Sequence, residues 1–127
     1  MSNKNFTELR QKQRFKVKEG ALAFFNPNPS ILGSIVDISE GGLAFTYMEN
    51  SSSPPKGKST KLDILMSDDG FYLDQVPFET VADFAMPTEY SFSTIIMKRL
   101  CLKFGKLSAE QKKQLAYFIS KYTIGRA

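Results

Sequence analysis

Between residues 104 and 108 the apolar period of this chain changes from two to 3.6, which confines it to a strand-rich body closed by one helix. Upstream, apolar residues alternate in short stretches at 31–39, 43–48, 61–66, 77–84 and 97–104, each bounded by turn-forming residues. Downstream, Leu115, Phe118, Ile119 and Tyr122 fall at i, i+3, i+4 and i+7, the stripe of an amphipathic helix. Ser108 followed by Gln111 matches a capping box, in which each side chain satisfies an otherwise orphaned backbone donor. Lys112 and Lys113 lie off the stripe, and Gly125 stands just past the expected helix end. Short strands followed by a single helix predict a small antiparallel barrel or sandwich with the helix docked on it.

The punctuation fixes the order of the pieces. Residues 15–25 are dense in Phe, Val, Ala and Leu and read as one strand with a bulge or bend at Gly20. Turns or loops are expected at 26–30, at Glu40-Gly41-Gly42, over 49–59 and around 87–93. Asp68-Asp69-Gly70 reads as a hairpin turn into a strand at 71–73. Residues 1–9 read as a flexible lead-in and 10–127 as a single domain, long enough for a core without metal or disulfide staples.

Several function classes fall away. The chain has no histidine and one cysteine, so neither a zinc site nor histidine-based catalysis is expected. Cys101 lies in an apolar strand and reads as core, Asp68 and Asp69 belong to a turn, and Ser108 is a cap with no base beside it. No acid–base pair recommends an enzyme, and no cofactor is called for. No run reaches the roughly 18–20 apolar residues of a membrane helix, and the polar N-terminus lacks a secretory core, so the cytoplasm is the expected compartment. The net charge of +4 is unevenly spread: about +4 over 1–19, −7 over 20–97 and +7 over 98–127. If the fold joins the two basic ends, they form one surface attractive to an anion. The acidic midsection argues against nucleic acid as that anion.

Two short motifs say which anion. Arg10-Gln11-Lys12-Gln13-Arg14 places two arginines four apart, just before the first strand. Asp37-Ile38-Ser39-Glu40-Gly41-Gly42 places an acid, a hydroxyl and a double glycine where one strand gives way to the next. Guanidinium groups stack on guanine faces, bind the O6/N7 edge or clamp phosphate. A carboxylate accepts from the donors of a guanine edge, Ser39 can donate to a phosphate, and the glycines leave room and offer backbone amides. Each motif alone is a solvated arm or an ordinary turn. Together they fit a guanine nucleotide.

These residues resemble the PilZ family of cyclic di-GMP receptors, whose marks are Arg-x3-Arg before the first strand and (Asp/Asn)-x-Ser-x-x-Gly some 20–30 residues later. Arg14-Phe15-Lys16-Val17, the stretch from Asp37 to Phe45, and the final strand and helix resemble that family too, so the likeness spans nearly the whole chain. The resemblance implies a six-stranded antiparallel β-barrel of split-barrel type, capped by one C-terminal α-helix. It implies that Arg10, Arg14, Asp37, Ser39, Gly41 and Gly42 bind cyclic di-GMP, with the arginine segment ordering over the ligand and presenting a surface to a downstream protein effector. Leu9 stands where many members carry a basic or polar residue linked to ligand number. The alternative reading is a PilZ-like scaffold that works through protein contacts without ligand.

Overall fold

A computed structural model of the chain describes residues 12–26, 31–49, 60–87 and 95–127. The lead-in 1–9, Arg10, and all but the first residue of each loop expected at 26–30, 49–59 and 87–93 lie outside the described residues. Nine strands and one helix are described in chain order: β1 (Phe15–Val17), β2 (Ala21–Asn26), β3 (Leu32–Ser39), β4 (Gly42–Met48), β5 (Lys61–Met66), β6 (Phe71–Val76), β7 (Phe78–Ala85), β8 (Met97–Phe104), α1 (Ala109–Tyr122) and β9 (Thr123–Arg126). All described pairings are antiparallel, in the order β6-β5-β2-β3-β4-β8-β7, with β1 hydrogen-bonded to β3 and to β9.

The expected closed six-stranded barrel is therefore corrected to nine strands in one open sheet, whose end strands β6 and β7 do not pair among the described residues. The reason is Pro77, the only residue between them. One residue is too short to reverse the chain into a hairpin, and proline brings no amide donor to a ladder. The chain instead bends from one sheet edge straight onto the other. The sheet still curls over a common core: Phe78 of β7 stacks on Phe25 of β2 with ring centroids 5.0 Å apart, although three strands separate them in the sheet. Phe45, Ile64, Leu73, Leu100 and Phe118 fill the interior with them.

Strands 15–25 prove to be two, not one. Gly20 adopts φ +101° in the turn between β1 and β2, a conformation costly for any residue with a Cβ. β6 runs three residues past its expected end, its ladder with β5 resuming at Leu62 and Val76 beyond a register shift between Leu62 and Ile64. At that bulge Gln75 has φ +59°, and its amide donates to Asp63 Oδ1 at 3.0 Å. Asp63 is fully buried and also accepts from Asn26 Nδ2 and the Tyr72 hydroxyl, so its burial is compensated at each oxygen.

The helix matches its sequence signal. Ser108 Oγ accepts the Gln111 amide, and Gln111 Oε1 accepts the Ser108 amide, the reciprocal box read from the sequence. Gln111 Nε2 goes further, donating to the carbonyls of Asp74 and Gln75 at 3.1 and 2.9 Å, which ties the helix start to the β6 bulge. Leu115, Phe118 and Tyr122 are buried, with Ile119 packed partly against them. After Tyr122 the chain does not simply stop: β9 lies along β1, and the Ala127 amide donates to the Arg14 carbonyl at 3.0 Å. No helix among the described residues is long and apolar enough to cross a membrane.

Candidate functional site

The site starts from a break in alternation on β3. Strand residues alternate between faces, so Ile35 and Ile38 could not both enter the core along an unbroken strand. The β3–β4 register shifts between Ile35 and Asp37, leaving Val36 as the extra residue of a bulge. Ile35 and Ile38 then both pack inward, and Asp37 is turned to the other face. Asp37 lies opposite Lys16 on β1 and Ala44 on β4, and Ala44 lies opposite Cys101 on β8. Residues two positions from Lys16 and from Cys101 share that face, which brings Arg14, just before β1, and Arg99 on β8 toward Asp37 from either side. Ala44 between them is too small to obstruct.

Asp37 is consequently held by both arginines. Arg14 donates from Nε to Oδ1 at 2.9 Å and from Nη2 to the same oxygen, and Arg99 Nη2 donates to Oδ2 at 2.8 Å. The Asp37 side chain is 7% exposed against 43% for Arg14 and 28% for Arg99, so the acid lies beneath the two cations. Arg99 lies in the strand read at 97–104, where the sequence allows it to border a ligand only if that strand runs beside the motifs; the register across β3, β4 and β8 is what brings it to Asp37.

Ser39, Glu40 and Gly41 complete the motif at the β3–β4 turn. Ser39 Oγ accepts the Gly41 amide at 3.1 Å and lies 3.5 Å from the Gly42 carbonyl, so the hydroxyl closes the turn locally. The two glycines differ sharply. A Cβ at Gly42 would fall 2.1 Å from the Leu102 carbonyl oxygen, so glycine here permits the close approach of β4 and β8 rather than leaving room for a ligand. A Cβ at Gly41 would press only on the flexible Lys12 side chain, at 3.0 Å, with Ser39 Oγ in ordinary contact at 3.8 Å.

Beside this turn lies a cleft of about 900 Å³. Arg14, Ser39, Gly41 and Gly42 line it, while Asp37 stands behind Arg14 and is not part of its wall. Lys12 completes the motif side, and Lys103, Lys106 and Lys112 from β8, the following connection and α1 line the rest, against Glu40 as the acid. The two basic ends of the sequence thus meet around one concavity. Among the expected binding residues, the structure brings Arg14, Asp37, Ser39, Gly41 and Gly42 together, and Arg10 lies outside the described residues. Cys101, read as core, is half-buried and also lines the cleft, because it shares the outward face of Asp37 and Ala44. No group of residues able to hold a metal ion is found among the described residues.

A family model described as the PilZ domain matches residues 8–121. No curated protein matches the chain. Among solved structures, the chain is similar to the PilZ domain with c-di-GMP of YcgR from Escherichia coli: TM-score 0.63, 16% identity, covering 89% of this chain and 90% of that one. It is also similar to MrkH, described as a c-di-GMP-dependent transcription regulatory factor, with TM-score 0.58 and 13% identity. That match covers 87% of this chain but 49% of MrkH. At these identities the two structures speak for the fold, whereas the family model spans most of the sequence and takes in both motifs. The chain belongs to the PilZ domain family.

Proposed function

We propose that this protein is a non-enzymatic cyclic di-GMP receptor of bacterial second-messenger signalling that passes the signal to a protein effector. The observation that carries the reading is the meeting of its two motifs. Arg14 and Asp37, 23 residues apart, share an ion pair at the edge of a cation-lined cleft large enough for a nucleotide. The YcgR structure, described as a PilZ domain with c-di-GMP, supports the choice of ligand.

The pairing gives the mechanism a definite first step. Asp37 is the natural acceptor for guanine donors, but Arg14 donates to its Oδ1 and stands between it and the cleft. Arg14 must therefore swing away, exchanging the carboxylate for the guanine face or a phosphate. Arg99 keeps its hold on Oδ2 and fixes the carboxylate for the incoming base. Arg10 and Arg14 then close together over the ligand, and the newly ordered arginine segment forms the surface an effector reads. Ser39 and Gly41 line the cleft with their hydroxyl and amide bonded to each other, so a phosphate gains either donor only by displacing that local bond.

Calorimetry of the wild-type chain with cyclic di-GMP, beside Arg14→Ala and Asp37→Ala, tests the reading. Saturable binding lost in both variants is the expected result. Absence of binding by the wild type at about 100 μM ligand, some 5–6 kcal/mol of affinity, refutes it.

A further inference from the structure

The motifs account for one side of the cleft only. From the other side, Lys106 in the connection after β8 and Lys112 on α1 face the same space, with Lys103 at the end of β8. Lys103 is 4.0 Å from Glu79, and both are well exposed, so that ion pair neutralises it weakly. Lys12, Lys106 and Lys112 enter no ion pair among the described residues. Five cations and Glu40 therefore surround one concavity. Folding gains nothing from this crowding, since like charges around a low-dielectric cleft repel and their field is focused into it. That repulsion has no structural return within the chain itself. A ligand carrying anions at two separated points supplies one.

We infer that Lys106 and Lys112 are further ligand-binding residues, forming a second anion-binding side of the cleft opposed in sequence and origin to the arginine motif. The inference rests on the receptor reading above and deepens it. A cyclic dinucleotide carries two phosphodiesters on opposite edges of one ring. If the arginine segment and the Gly41 turn take one phosphate, the second needs a cation elsewhere on the wall, where Leu107 and Ala116 are apolar and Lys103, Lys106 and Lys112 carry the charge. Lys106 and Lys112 stand where that charge needs partners. Ligand binding then joins the β3–β4 turn to the first half of α1, so the helix as well as the arginine segment senses occupancy.

The test is calorimetry with cyclic di-GMP on the full chain and on Lys106→Gln, Lys112→Gln and the double variant, with Lys113→Gln as a control off the cleft. Thermal unfolding is followed with and without the ligand. Each cleft substitution is expected to weaken binding about three- to tenfold, and the double at least tenfold, with the control unchanged. The ligand-free melting temperature is expected to hold or rise in the cleft variants as repulsion is relieved, a sign opposite to that of a merely structural loss. Wild-type binding with the double variant within twofold of it overturns the lysine side and leaves the receptor reading intact. A wild type that binds no cyclic di-GMP removes the receptor reading itself, and this inference with it.

Discussion

Removing Arg14 and Arg99 together is expected to cost the ligand-free fold more than the two single losses combined. Each guanidinium holds a different oxygen of Asp37, so either one alone still pairs the carboxylate. A hydrogen bond to a charged group contributes about 1.5–3 kcal/mol when shielded. Exposure of 43% for Arg14 and 28% for Arg99 brings each Ala substitution down to about 1 kcal/mol. The double variant is different in kind. It leaves a carboxylate whose side chain is 7% exposed without a cation, which costs about 3–5 kcal/mol. The coupling between the two positions is then about 1–3 kcal/mol, readable from urea unfolding of the four proteins of a double-mutant cycle. A fifth protein sharpens the test. Adding Asp37→Ala to the double variant deletes the stranded charge and should restore stability. Additivity within about 0.5 kcal/mol, or no rescue by the third substitution, refutes the idea that the two arginines share one buried acid.

Two further outcomes follow from the same geometry. Gly42→Ala is expected to destabilise the protein by about 2–4 kcal/mol, because its Cβ meets the Leu102 backbone. Gly41→Ala should stay within about 1 kcal/mol, since the flexible Lys12 side chain can give way. Chemical denaturation of both variants checks the contrast, and equal costs would contradict it. Burial, and then the Asp69 carboxylate to which it donates, push the Tyr122 phenol from 10.0 up to about 12. Raised in the folded state, this group gives stability that is complete below pH 10.0 and lost as pH rises toward about 12. Tyr122→Phe should flatten that loss in alkaline unfolding curves, and an unchanged slope would disprove the assignment.

What the sequence determined by itself is what neighbours within a turn or two decide. The capping box at Ser108 and Gln111, the stripe of Leu115, Phe118 and Tyr122, and the strands at 61–66 and 97–104 depend on short-range periodicity, and they stand as read. The two motifs were likewise legible, because residue types and their spacing carry the chemistry. Tertiary structure decided how the pieces meet. The bulge at Val36 breaks the alternation that a sequence reading assumes, and only pairing with β4 shows that Asp37 is thereby turned from the core toward Arg14 and Arg99. Gly42 looked like room for a ligand until β8 was placed beside it. β9 gave no periodic signal, because four mostly exposed residues are strand only through their bonds to β1. Pro77 was visible, but its effect on barrel closure depended on which strands it joined. In each case the deciding contact lies across strands distant in the chain, where register and close backbone approach, rather than local preference, set the outcome.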